Sequence, residues 1–403
     1  YVANTLALML GVAVVSLLFG VSAAWAVVRY KFPGRRILEW MLLLPAAVPA
    51  YLIAYTYTDF LEYAGPIQSI LRDLFGWQSA ADYWFPEIRS MGGAMLVMGA
   101  VLYPYIYVMA RTAFVLTPAS LYEVGMLTGR SMFWKIALPL GRPAIAAGLA
   151  LVLMETMSDF GTVEFFAIET LTLGIFNVWL GMNNLTAAAQ IASFAFLFIA
   201  ALLALEVIAR ARRRFIDTTR RPVTLQPKPA LGFTLFACWI VCLAPIVIGF
   251  IVPVAVLLDF VLQGHSLDLN DAVIAAAINS ILLASAVAIL VLAAAGFMGF
   301  VATFKKGTGL GKLTALASTG YAFPGTILAI GVVTAGGMVD DGIAAIMEGL
   351  FGLSYEGLLT SGVGLVVFAC VIRFQAIGYG AVSSGLTRLP PNMMEASRVL
   401  GRG

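Results

Sequence analysis

Charged residues are scarce in this sequence: 11% of its 403 residues, against 61% hydrophobic. Soluble domains carry about 25% charged residues, so a water-facing globular surface is excluded. Histidine occurs once, at His265, which leaves histidine-based metal binding or catalysis little to work with. The three cysteines, Cys238, Cys242 and Cys370, all fall in apolar stretches. They offer neither a disulfide framework nor a zinc spacing and read as small buried hydrophobes. Metalloprotease motifs and serine–histidine pairs are lacking too, which argues against an intramembrane enzyme. The run Gly307-Thr308-Gly309-Leu310-Gly311-Lys312-Leu313 lacks the spacing and the preceding strand of a phosphate loop, so nucleotide hydrolysis is not expected within this chain.

Long apolar runs are abundant instead. A helix needs about 20 apolar residues to cross a bilayer, and nine such stretches are read at 3–28, 37–62, 93–116, 143–163, 186–208, 230–257, 278–303, 314–338 and 359–385. With the first connector on the cytoplasmic side, the inner segments hold 21 of the 24 basic residues, from Arg29, Lys31, Arg35 and Arg36 through to Arg388, Arg398 and Arg402. Arg72 and Arg89 lie in an outer segment, and Arg373 lies within a span. The positive-inside rule therefore fixes the orientation. Glu164, Glu169, Asp259, Asp268, Asp271, Asp340, Asp341 and Glu356 are placed in outer loops. The chain starts at Tyr1 and stops at Gly403, and a longer native protein is expected.

The sequence also resembles itself. Asn4-Thr5-Leu6 matches Asn279-Ser280-Ile281, and Val48-Pro49-Ala50 matches Phe323-Pro324-Gly325, both at an offset of 275. Thr117-Pro118-Ala119-Ser120-Leu121-Tyr122-Glu123 matches Leu389-Pro390-Pro391-Asn392-Met393-Met394-Glu395 at an offset of 272. The expected organisation is a first repeat over 1–208, a basic cytoplasmic linker over 209–229, and a second repeat over 230–403 that stops inside its loop at 390–403. Each matched loop has the grammar of a short capped helix. Ser120 with Glu123 forms a capping box, Asn392 with Glu395 a variant of one, and Gly129 and Gly401 sit where a glycine ends a helix.

Glu123-Val124-Gly125, Gly129 and Ile136-Ala137-Leu138-Pro139 resemble the EAA loop of ABC importer permeases, spanning 118–139 here. Glu395-Ala396-Ser397 with Gly401 resembles a second copy. Between Gly129 and Ile136 the chain is about three residues shorter than the usual pattern. Glu155 through Glu164, Pro33-Gly34-Arg35-Arg36 and Pro45 through Tyr51 are similar to fused permeases of the ferric-iron group. The resemblance implies an all-α, polytopic helical bundle of the type I ABC importer permease fold, with two pseudo-symmetric halves in one chain. It implies an inner-membrane location, two ABC ATPase subunits on the cytoplasmic face, and a periplasmic solute-binding protein on the outer face. Contact is with lipid and not nucleic acid, no cofactor is needed, and ATP is hydrolysed by the partner rather than by this chain. Glu123, Gly129, Glu395 and Gly401 would couple to the ATPase.

Ionisable groups inside a span default to a functional role. Glu155 and Asp159, four residues apart, are expected on one helix face in the middle to outer half of the membrane. Arg373 is expected at a similar depth in the other half. These three would line the path or gate, or form a buried ion pair that fixes packing. Tyr55 and Tyr103 are candidate oxygen contacts for a hard cation such as ferric iron, though tyrosines there also serve as interfacial belts or buried hydrogen-bond donors. Related permeases import thiamine, polyamines or phosphonates, which stay open as solutes. A secondary transporter is the more distant reading, disfavoured because its repeats are often inverted whereas these share one orientation. The outer segment 64–92, with Trp77, Tyr83, Trp84 and Phe85, is the candidate surface for the binding protein.

Overall fold

The computed structural model describes residues 1–118, 121–122, 131–211, 226–263, 271–304, 325–352, 357 and 362–386. Among these, seven helices are long and apolar enough to cross a membrane, and a bent pair, Arg35–Ala47 with Ala50–Phe75, turned through 92°, is apolar enough only when its two arms are taken together. The helices are α1 (Val2–Arg29), α2 (Arg35–Met41), α3 (Ala50–Leu61), α4 (Pro66–Phe75), α5 (Met91–Leu116), α6 (Leu138–Ser158), α7 (Gly161–Phe165), α8 (Leu171–Phe176), α9 (Leu185–Ala211), α10 (Phe233–Ile246), α11 (Val252–Leu262), α12 (Asp271–Phe304), α13 (Gly325–Phe351) and α14 (Gly364–Leu386). The chain forms two compact units, Tyr1–Leu267 and Asp268–Gly403.

In the first unit the centre is α1 against α5. Gly11 faces Met95, the Ser16 hydroxyl donates to the Gly99 carbonyl at 3.2 Å, and Trp25 meets Phe114, so the two helices run parallel. α6 runs back along α5, with Gly148 on Ile106 and Gly141 on Phe114. Small residues carry these crossings because helices immersed in lipid gain from close backbone approach rather than from hydrophobic burial. A β-carbon on Gly148 would lie 2.9 Å from the Ile106 Cα and from the Tyr105 carbonyl.

The parallel pair gives this unit two chemically different ends. Arg29, Lys31, Arg35, Arg36, Arg111, Lys135, Arg142 and Lys228 lie at the end where α1 and α5 finish and α6 begins. Arg72 and Arg89 lie at the far end, where the Thr5 hydroxyl accepts from the Leu171 amide at 2.9 Å. Tyr30–Lys31 pairs in parallel with Lys228–Pro229, tying the end of the basic linker to the exit of α1. From there α10 and α11, joined by a π-helical turn at Val247–Ile251, pack on α1, α3 and α5 within this same unit. The sixth expected span thus makes its contacts with the helices of the first repeat.

In the second unit α12 and α14 form the main pair. A β-carbon on Gly378 would lie 2.7 Å from Val291 Cγ1 and 3.2 Å from Ala295 Cβ. The corresponding approach in the first unit is Gly20 on Ile106, and the offsets are again 275 and 272. α3 starts one residue after Pro49, and α13 one residue after Pro324.

Two expected spans shift. The fourth was placed at 143–163, but its helical path begins in a π turn at Phe133–Ala137 and ends at Ser158. Pro143 is accommodated near the start of α6, where its missing amide frees only one early carbonyl. The eighth was placed at 314–338. Residues 305–324 lie outside the described residues, and α13 continues to Phe351. Asp340 and Asp341, expected in an outer loop, are therefore helical, because the run 343–350 is rich in alanine, isoleucine, methionine and other helix formers. Asp340 is buried.

Candidate functional site

At the basic end, α5 stops at Leu116 because Thr117 precedes Pro118 and is pushed out of the helical region. The Thr117 hydroxyl then donates to the Ala113 carbonyl at 2.8 Å. Glu123 and Gly129 of the loop that follows lie outside the described residues, as do Glu395 and Gly401. The two roots of the first loop are described. Tyr122 is fully buried, and its hydroxyl donates to the Phe114 carbonyl at 3.3 Å. Burial pushes its phenol above the ordinary range. The Trp25 ring lies 5.7 Å from Phe114, 6.2 Å from Tyr122 and 5.4 Å from Phe133. Aromatic clusters at these separations add to burial through edge and tilted contacts. The chain re-enters the bundle through the π turn Phe133–Ala137, so Ile136-Ala137-Leu138-Pro139 spans the turn and the first residues of α6.

Deeper in the first unit three stretches of backbone leave the α-helical pattern. They are the 3₁₀ turn Leu44–Ala47 with the bend at Pro49, the break at Asp159–Phe160, and the π turn Val247–Ile251. They adjoin one another in part: Pro45 lies against Gly249, and Tyr51 against Gly161. Within a membrane, interrupted helices persist only where the freed carbonyls find donors. Here hydroxyls supply them. Tyr103 donates to the Leu42 carbonyl at 2.8 Å, Tyr57 to the Ile248 carbonyl at 2.8 Å, and Thr172 to the Met157 carbonyl.

This arrangement changes the reading of several expected site residues. Asp159 does not continue the helix of Glu155, since α6 ends at Ser158 and Asp159 is extended. Its carboxylate instead accepts from the Thr162 amide at 2.9 Å, the Val163 amide at 3.2 Å and the Thr162 hydroxyl at 3.0 Å. Aspartate competes with the helix for local amides and so favours such a cap. Tyr103 is buried with its hydroxyl committed to Leu42. Tyr55 sits between the Phe165 and Phe260 rings, each 6.0 Å away. Arg373 belongs to the second unit, where a β-carbon on Gly325 would lie 2.6 Å from its Nη1. Among the described residues no group of three or more acidic, cysteine or histidine side chains could hold a metal ion.

The far end carries a built surface. α4 ends at Gly76, whose φ of +69° lies in the left-handed region that glycine adopts most readily. Arg72 lies 4.1 Å over the Tyr63 ring and donates to the Tyr63 carbonyl at 2.7 Å, the Tyr83 hydroxyl at 3.0 Å and Ser69 Oγ at 3.0 Å. Trp77 stacks on Tyr83 at 4.6 Å. Arg89 pairs with Glu62 at 2.7 Å and lies over Phe165. Beside these groups is a cavity of about 560 Å³ lined by Glu62, Tyr63, Tyr83, Trp84, Glu87 and Arg89, and Trp84 is 85% exposed.

A family model described as "Binding-protein-dependent transport system inner membrane component" matches residues 16–218, just over half of the chain. The chain belongs to this family. It is a multi-pass inner-membrane protein of the type I ABC permease fold. Among relatives, it is 24% identical over 189 residues to the Fe(3+)-transport system permease protein FbpB 2 of Haemophilus influenzae, covering 46% of this chain and 33% of that protein. It is 29% identical over 154 residues to the molybdenum transport system permease protein ModB of Escherichia coli, covering 38% and 64%. It is 28% identical over 206 residues to the sulfate transport system permease protein CysT of Salmonella typhimurium, covering 49% and 70%. The chain spans between a third and two thirds of the length of the first-matched relatives.

The family match runs from the middle of α1 through α9 and so takes in both loop roots and all three hydroxyl-capped segments except the π turn at Val247–Ile251. The Trp25 cluster was not singled out by sequence reasoning. Its signal was available only as aromatics at the ends of three spans, a pattern shared with ordinary interfacial belts.

Proposed function

We propose that this chain is the membrane-spanning permease subunit of an ATP-driven ABC importer that admits ferric iron handed over by a periplasmic binding protein. The observation that carries the reading is the root of the loop between α5 and α6. Tyr122 and Phe133 flank that loop, and both pack on Trp25 of α1. Force applied to the loop at the basic end therefore reaches α1, α5 and α6 together. Coupling requires an element with two arrangements that both faces of the membrane can bias. The helix interruptions at Pro49, Asp159 and Val247–Ile251 are the places where such a change costs least, since fewer α-helical bonds must break. ATPase closure would act through Glu123 and Gly129 in one repeat and Glu395 and Gly401 in the other, and the energy of ATP would come from that partner. The surface around Arg72, Trp84 and Arg89 is the proposed seat of the binding protein.

The choice of solute rests on charge. Glu155 in the last turn of α6 and Asp159 at the break that follows it are, with Arg373, the proposed path or gate residues. Two carboxylates attract a hard cation that prefers oxygen ligands and repel a divalent oxyanion. The iron permease among the relatives accords with this. The sulfate and molybdenum permeases, 28% and 29% identical, support an oxyanion as the second reading.

Reconstitution tests both. The permease, its ATPase and binding protein are placed in vesicles, and labelled ferric iron, sulfate and molybdate are offered outside. ATP-dependent uptake of iron alone is expected. Uptake of an oxyanion and not iron would transfer the assignment, and uptake without ATP would end the importer reading.

A further inference from the structure

We propose that the first unit holds the phosphate of an anionic phospholipid at its basic end, between α2 and the last turns of α5. Arg35, Arg36 and Arg111 converge there with one carboxylate, Glu39. Glu39 forms an ion pair with Arg111 and accepts the Tyr107 hydroxyl on its backbone carbonyl at 3.2 Å. Arg36 and Arg111 are both close enough to Arg35 for their charges to oppose one another. Among the described residues no salt bridge reaches Arg35 or Arg36. The Nε atoms of Arg35 and Arg111 are buried and have no hydrogen-bond partner. Water does not reach those two atoms, so an added anion would be met by the accessible parts of the cluster: Arg36 is exposed and the Arg111 side chain is 38% exposed, and three guanidinium groups around one carboxylate leave an excess of positive charge. The missing component is an anion with several acceptor oxygens, and the planar guanidinium fork matches phosphate in particular.

The neighbouring surface selects a lipid as its source. On α2, one turn from these arginines, Ile37 is 67% exposed and Trp40 is 74% exposed, while Leu38 and Leu42 face the protein. Spaced three apart, Ile37 and Trp40 share a face. Tryptophan at such a level is suited to the boundary between acyl chains and headgroups. Gly34, with φ +76°, makes the turn that lays α2 beside the bundle, where a β-carbon on it would lie 3.6 Å from the Trp239 ring. A phospholipid satisfies both halves of this surface: its phosphate meets the arginines and its chains cover Ile37 and Trp40. Basic groups at the membrane surface attract anionic lipid by about fivefold each. The inference depends on the chain spanning the membrane and not on which solute it carries.

The test is native mass spectrometry of the detergent-solubilised full chain with phosphatidylglycerol, phosphatidylcholine or inorganic phosphate added. Wild type is expected to retain phosphatidylglycerol at least about fivefold better than phosphatidylcholine. R35Q/R36Q is expected to lose that preference, R35K/R36K to keep part of it, and R72Q at the far end to keep all of it. Equal retention of the two lipids by wild type would overturn the proposal without recourse to any variant. Displacement of phosphatidylglycerol by inorganic phosphate at equal concentration would also overturn it, in favour of a free-anion site. Loss of ATPase association in R35Q/R36Q with unchanged lipid retention would assign the cluster to a protein carboxylate instead.

Discussion

At the scale of single residues, the side chains that matter most are those that satisfy broken backbone. Asp159 caps the short helix after α6 with three hydrogen bonds. Replacing it with alanine should cost about 1 kcal/mol, typical of a lost cap. Asp159→Asn should keep most of that stability while removing charge. If Asp159 serves the path, Asp159→Asn lowers ferric uptake in vesicles while its thermal midpoint stays near wild type. If uptake is unchanged, the residue is a cap and nothing more. Trp25→Ala removes the ring that joins Phe114, Tyr122 and Phe133. Trp25 is only partly buried, so a loss below the about 3–5 kcal/mol of a fully buried tryptophan is expected, together with ATPase turnover that no longer responds to binding protein. Tyr122→Phe, which removes only the hydroxyl, is the milder companion.

Asp82 gives a residue-level prediction in pH. The Ser79 and Gln78 amides donate to its carboxylate and hold it below the usual carboxylate range. A depressed folded value means that the contribution is fully present above the unfolded value of about 3.9 and is lost as pH falls through the folded one. Hydrogen exchange should show Gln78 and Ser79 protected equally from neutrality down to about pH 5, with protection lost only in stronger acid. Asp82→Asn should lack the acid transition.

At the scale of elements, small residues determine which helices touch. Gly148→Ala would push a methyl group to 2.9 Å from α5 backbone, and no flexible side chain can yield there. Overpacking of this kind costs about 1–3 kcal/mol. Gly181→Ala has nothing within 4 Å and should be neutral. Thermal unfolding of the two variants in one detergent checks the pair. The apolar spans themselves were legible from composition, and their counterparts occur throughout the chain. Their ends were less legible. α13 runs past its expected end because residues that look like a loop by charge, Asp340 and Asp341, are followed by a stretch with Ala344, Ala345, Met347, Glu348 and Leu350, all strong helix formers. α6 stops where periodicity would carry it on, because Asp159 offers its amide neighbours a better bond than the helix does.

At the scale of the molecule, Gly20 packs on Ile106 in one unit and Gly378 on Ala295 in the other, at positions related by the offsets of 275 and 272. The compact units do not coincide with the sequence repeats, since α10 and α11 pack with the first unit. A chain cut at residue 229, the end of the linker, should therefore leave α1, α3 and α5 with exposed apolar faces. A cut near residue 267 should give a better-folded fragment. Size-exclusion chromatography of both fragments in detergent would separate these outcomes, and equal monodispersity would contradict the expectation.

Composition and charge asymmetry alone determined that this protein lives in a membrane and which way its basic segments gather. Those properties are sums over many residues, and no single contact can alter them. Only the tertiary structure decided where helices break, which hydroxyl repairs each break, and which repeat receives the sixth span. Such outcomes turn on competition between groups far apart in the chain, such as Tyr57 with Ile248, and a one-dimensional pattern carries no record of who wins.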